Sequence, residues 1–141
     1  MEKHKALYQL FSNLWILFFE SRNAHWNITG PNFKPLHEFF AEIYTKADSD
    51  ADLVAERLRQ LGKFIPSNFA IISKNTTIPE STKILSSSKS CLDRLISIHQ
   101  LINKQIVEII QECDKDEATK NMLADMVEKM EVNLWKLQSS L

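Results

Sequence analysis

Four side chains between Asn23 and Gly62 carry the chemistry of metal ligands: His25, His37, Asp52 and Glu56. Imidazole and carboxylate together suit Fe(II), Mn(II) or Zn(II), and carboxylates tolerate the change from Fe(II) to the harder Fe(III). Asp52 and Glu56 stand at i and i+4, so on a helix both reach one ion from a single face. At ~100° per residue, His37, Ala41, Asp48, Asp52 and Glu56 share a sector roughly 100° wide. Leu36, Phe39, Phe40, Ile43, Ala47, Ala51, Val54, Leu58 and Leu61 form a second stripe, centred about 150° from the first. A helix buries its apolar stripe. The histidine and carboxylate stripe therefore turns away from the subunit's own core, toward solvent or another subunit. Singly, each group has a plainer reading. His25 could be a hydrogen-bonded core histidine and His37 a surface residue near a helix start. Asp52 and Glu56 could be solvated charges pairing with Arg57 or Arg59, and Asp48 a solvated charge of the same kind. Only the joint pattern points to a site.

The elements that must position these groups read as long helices. From His4 to about Asn27, Leu7, Leu10, Phe11, Leu14, Leu17, Phe18 and Ser21 keep helical spacing, and His25 continues their line. Gly30 and Pro31 break that helix. A second begins near Pro35, a first-turn proline, and runs to about Leu61, with Gly62 just past its end. Lys63 to about Ser81 lacks long-helix periodicity, though Phe69-Ala-Ile-Ile72 suits one short helix. A third long helix spans roughly Thr82 to Cys113, with Leu92, Leu95, Ile96, His99, Ile102, Ile106, Ile109 and Ile110 inward. Asp114 and Glu117 read as a capping box before a fourth, which turns Met122, Leu123, Met126, Val127, Met130, Leu134 and Leu137 inward. Four long helices joined by two short connections and one long crossover predict an all-α, ferritin-like four-helix bundle, one domain over residues 1–141.

Composition agrees. The chain has 141 residues, 44% hydrophobic and 25% charged, with only 2 Gly and 4 Pro, which suits long helices and little sheet. A net charge of -1 offers no bulk attraction to nucleic acid or to anionic membrane. Leu14-Trp-Ile-Leu-Phe-Phe19 is too short to span a bilayer. Cys91 and Cys113 sit some six turns apart on one predicted helix, too far to bridge, so reduced thiols are expected. Without the h-region of a signal peptide, a cytoplasmic location is expected.

Ala24-His-Trp-Asn-Ile-Thr-Gly-Pro-Asn-Phe33, Leu36-His-Glu-Phe-Phe40 and Asp52-x-x-x-Glu-Arg-x-Arg-x-Leu-Gly62, in this order and spacing, closely resemble the Dps family (DNA-binding protein from starved cells) of mini-ferritins. Asp116-Glu-Ala-Thr-Lys-Asn-Met-Leu123 and Asn133-Leu-Trp-Lys-Leu137 resemble its last helix, so the likeness covers nearly the whole chain. The resemblance implies a hollow shell of twelve subunits that oxidises Fe(II), preferably with hydrogen peroxide, and stores the ferric mineral inside. It implies a ferroxidase site shared across a two-fold interface, with His25 and His37 from one subunit and Asp52 and Glu56 from its neighbour. Trp26 would donate electrons, or serve as an interface aromatic, or both.

Two departures and two rival readings accompany the resemblance. Family members often carry a further Asp where this chain has Ala41, so one iron position is expected to be weakened. Asp48 lies on the same face and is a candidate substitute, whereas Glu42 points ~100° away. Glu112, Asp116 and Glu117 occupy the region of the family's acidic iron-entry pores, with capping and solubility as their plain alternative. Asn121 stands where another pore carboxylate would be. Zinc or another divalent ion would also suit the site in isolated protein. Tight DNA binding is not expected: only Lys3 and Lys5 precede the bundle, and Gln138-Ser-Ser-Leu141 follows it. The rivals to a ferroxidase are a DNA-coating Dps protein, which a gel shift at low salt would reveal, and a structural shell with a decayed site.

Overall fold

A computed structural model describes residues 2–141. Five helices follow one another, α1 (Lys3–Asn27), α2 (Phe33–Gln60), α3 (Phe69–Lys74), α4 (Ser88–Glu112) and α5 (Glu117–Ser139), and no strand occurs among the described residues. The all-α bundle with its long central crossover is as the periodicity predicts. α1 packs on α2 and on α4, and α5 packs mainly on α4. Leu7, Leu10, Leu14 and Leu17 of α1 meet Phe40, Ile43 and Leu58 of α2, Leu92, Leu95, Ile98, Ile102 and Ile106 of α4, and Leu123, Met126, Met130 and Leu137 of α5 in one buried core. Each such side chain contributes ~1.5–3 kcal/mol by leaving water. His99, taken as an inner position, is indeed buried. No helix among the described residues is long and apolar enough to cross a membrane.

Local chemistry sets the helix ends. The Glu2 carboxylate accepts from His4 N at 3.0 Å and starts α1. At the other end Gly30, at φ +112°, turns the chain so that Phe33 N donates to Gly30 O at 3.1 Å and α2 begins at once. Pro35 falls inside the first turn of α2, where no amide hydrogen is needed. Gly62, at φ +83°, closes α2: its N–H reaches Arg59 O and that of Lys63 reaches Leu58 O, a paired closure needing a left-handed residue.

Two boundaries differ from expectation. α4 starts at Ser88 rather than near Thr82, because Ser87 and Ser90 form a reciprocal capping box. The start of α5 is capped by Asp116, whose side chain accepts from Thr119 N at 3.1 Å. The expected Asp114–Glu117 box is not formed. Asp114 instead takes a left-handed conformation, φ +43°, at the turn.

The crossover from α2 to α4 is tied along the length of α1, in parallel register with it. The Tyr8 hydroxyl donates to Phe64 O. Asn13 Oδ1 accepts from Thr77 N at 2.9 Å, and its Nδ2 donates to Thr77 Oγ1 and to Gln105 Oε1 on α4. Glu20 accepts from Ser81 N at 2.8 Å and pairs with Arg94 at 3.2 Å. Asn23 bonds Lys83 O and Leu85 N, and Thr29 N donates to Ser86 O at 2.8 Å. Asn13 and Glu20 are buried, so their partners in the crossover offset their desolvation.

Candidate metal centre

His25 lies in the last turn of α1 and His37 one turn into α2, and the turn at Gly30 folds the two onto each other. Their rings stack with centroids 3.8 Å apart and 12° between planes. His25 Nδ1 lies 2.6 Å from His37 O, and His37 Nδ1 lies 2.7 Å from His25 O. A carbonyl only accepts, so each Nδ1 carries the hydrogen, and in the neutral ring the lone pair sits on Nε2. Such a backbone bond fixes tautomer and ring orientation in the way metal-ligating histidines require. Phe33 stacks on the far face of His37 at 4.9 Å, and Tyr44 meets His25 edge-on at 5.2 Å. Two Nε2 donors are thereby held ready on a rigid aromatic stack.

The carboxylates lie elsewhere on α2. Asp48, Asp52 and Glu56 are all exposed while Leu36, Phe40, Ile43, Ala47, Ala51, Val54 and Leu58 are buried, so the two stripes separate as the wheel demands. The plainer reading, in which Asp52 and Glu56 pair with neighbouring arginines, does not hold within the chain. Arg57 donates instead to Asp116 at 2.8 Å and to Thr119, and Arg59 to Lys63 O at 3.0 Å. Asp52 stands fifteen residues beyond His37, ~22 Å along the helix axis. Among the described residues no three His, Cys, Asp or Glu side chains come close enough to enclose an ion. One chain therefore presents two imidazoles at one place and, at another, two carboxylates without an ion-pair partner among the described residues.

Sequence reasoning missed the surroundings of the histidine pair. The guanidinium of Arg22 lies 4.8 Å from the ring centre of Phe18, 5.5 Å from that of Trp26 and 4.1 Å from that of Tyr44. Phe18, Arg22 and Trp26 recur every four residues on α1, a signal that was legible once Arg22 was read as part of an aromatic face. Trp26 itself is 63% exposed beside the first histidine. Ala41 leaves no oxygen ligand one turn beyond His37.

The candidate pore residues divide. Asp116 is engaged inside the subunit by Lys3 at 3.0 Å, Arg57 at 2.8 Å and Thr119. Desolvation pushes its carboxyl up, but the hydrogen bonds from Thr119, Lys3 and Arg57 outweigh it and hold the group well below the usual carboxylate range. Glu112 and Glu117 are exposed at the adjoining helix ends, Glu117 within 3.2 Å of Lys120. Asn121 is exposed as well.

The Ferritin family model, a ferritin-like domain, matches residues 4–141. The DNA protection during starvation protein of Brevibacillus brevis is 32% identical over 132 residues, covering 92% of this chain and 88% of that protein. The crystal structure of antigen TpF1 from Treponema pallidum superposes with a TM-score of 0.94 at 26% identity, over 99% of this chain and 90% of that one. A Dps protein from Vibrio cholerae O1, described as a member of a broad superfamily of ferritin-like diiron-carboxylate proteins, superposes with a TM-score of 0.91 at 28% identity, over 97% of this chain and 87% of that one. A family match over almost the whole chain, together with relatives of this kind, places the protein: it belongs to the ferritin-like family, as a Dps-type mini-ferritin.

Proposed function

We propose that this chain is a cytoplasmic mini-ferritin that oxidises Fe(II) with hydrogen peroxide at sites shared between subunits of a twelve-membered shell, and stores the ferric product inside. One observation carries the reading: two imidazoles whose Nδ1 atoms are held by backbone carbonyls, leaving Nε2 to bind, and two exposed carboxylates without an ion-pair partner among the described residues, ~22 Å further along α2. A two-fold axis that lays α2 of one copy antiparallel to α2 of the next brings His25 and His37 against the partner's Asp52 and Glu56. Fe(II) is the substrate. Two Fe(II) give up one electron each, the peroxide O–O bond breaks, and two protons complete two waters, so no hydroxyl radical is released.

The residues divide the work accordingly. His25 and His37 bind through Nε2, and the carbonyl-bound Nδ1 atoms keep them from rotating away. Asp52 and Glu56 supply negative charge that favours the ferric product. Trp26, exposed next to His25, is placed to give an electron when iron alone cannot supply it. Iron entry falls to Glu112 and Glu117, exposed at the adjoining helix ends, whereas Asp116 is part-buried between Lys3 and Arg57. The same ion pair occupies Lys3, so a DNA-coating role gains no support from this end of the bundle. With Ala41 in place of a carboxylate, one iron position is held more weakly than the other.

Subunit complementation tests the shared site. His37→Ala and Asp52→Ala chains, each assembled alone, should oxidise Fe(II) slowly on peroxide addition. Mixed shells should recover up to about half of the wild-type sites in heterologous pairs, because one of the two sites in such a pair is intact. Slow oxidation in the mixture as well, from shells shown to be mixed, would overturn the shared site. Wild-type rates in both single variants would show the four residues to be interface polar groups only.

A further inference from the structure

Arg22 is a half-buried cation without a carboxylate partner among the described residues, and its Nε is enclosed with no hydrogen-bond acceptor. Three aromatic faces offset only part of the desolvation of a guanidinium. Asp48 is the complementary case, an exposed carboxylate on α2 with no cation partner among the described residues. Lys46, the nearest lysine in sequence, is taken by Asp50.

The two can meet only across subunits, and the register of the shared site says where. In antiparallel helices related by a two-fold axis, facing residues have a constant sum of sequence numbers. Setting His37 opposite the partner's Asp52 and Glu56 puts the partner's Asp48 opposite the stretch from Ala41 to Thr45. Tyr44 lies in that stretch, and the Arg22 guanidinium rests 4.1 Å from its ring centre. Resting on the shared-site reading above, we propose that Arg22 forms an ion pair with Asp48 of a second copy of this chain. This contact is an anchor close to the two-fold axis. It fixes the distance between one copy's histidine stack and the other's carboxylates. Arg22 is thus a positioning residue, acting through the interface rather than on iron.

Charge reversal tests the pair on the full chain, with subunit exchange between isotopically distinct shells followed by native mass spectrometry. Arg22→Asp and Asp48→Arg should each speed exchange roughly tenfold or more, since close interfacial charge pairs couple by at least about that factor. The double reversal should return exchange to within about threefold of wild type. Failure of the double to recover would overturn the inference. Should the reversals not fold, the neutral cycle Arg22→Gln, Asp48→Asn and both together keeps it testable. A coupling of tenfold supports the pair, and additive effects refute it. Loss of complementation between His37→Ala and Asp52→Ala would instead refute the shared site itself, so the two failures are told apart.

Discussion

His99 shows how one buried residue sets a pH limit. It lies in the core of α4, its Nδ1 hydrogen-bonded to Leu95 O at 2.7 Å, and burial pushes its pKa down from 6.5 to about 4, with the Lys46 cation nearby acting in the same direction. The unfolded chain therefore takes up a proton that the folded chain refuses as pH falls from 6.5 toward 4. Stability is full above that window and is lost through it, by about 3 kcal/mol at its foot. Asp50 opposes this, because its burial favours the protonated acid and raises its pKa, so the fold gains stability as pH falls through that raised value. Replacing His99 by Leu should remove most of the slope in urea midpoints between pH 6.5 and 4, and an unchanged slope would exclude His99 as its source. At this scale the sequence was half legible. Residue types and their wheel positions were enough to nominate His25, His37, Asp52 and Glu56. That Arg57 is drawn to Asp116 and Thr119, or that each imidazole is held by the other's carbonyl, depends on contacts between α1, α2 and the start of α5 that no local pattern encodes.

Among the elements, the crossover is where hydrogen bonds rather than apolar packing hold the chain. Asn13 bonds Thr77 N, Thr77 Oγ1 and Gln105 Oε1, so Asn13→Ala removes these bonds, most of them to the crossover, at ~0.5–1.5 kcal/mol each. The expected result is local: amides around Thr77 and Ile78 should exchange with deuterium roughly tenfold or more faster while those in the middle of α1 and α4 keep their protection. Uniform loss of protection would show instead that the crossover and the bundle open together. The long helices were readable because a 3.6-residue apolar period needs no partner to be seen. The crossover was not, because Asn13 and Glu20 look like ordinary surface polar residues until the chain lying over them is known. The misplaced cap at Asp114 has a similar cause. Two acidic residues in Asp114-Lys-Asp116 offer equally good caps by type, and the choice is made by Lys3 and Arg57, far away in sequence.

The molecule as a whole keeps its reactive sulphur away from its surface. Cys91 is fully buried with its thiol against Leu85 O, and burial pushes it up to about 11; Cys113 is buried too and shifted the same way, by burial and then by Asp116. At pH 7 only about one Cys91 in ten thousand is then a thiolate, the form that oxidants attack. Peroxide added to the folded protein should leave both cysteines unmodified by mass spectrometry, while iodoacetamide should label both once urea has opened the core. Oxidised cysteine in the folded chain would contradict this. A protein proposed to work beside hydrogen peroxide thus differs in kind from thiol-based peroxidases, which consume oxidant at sulphur and need a reductant to start again. Here the sulphur is inert packing, so repeated turnover calls for no thiol recycling partner and leaves no disulfide to repair.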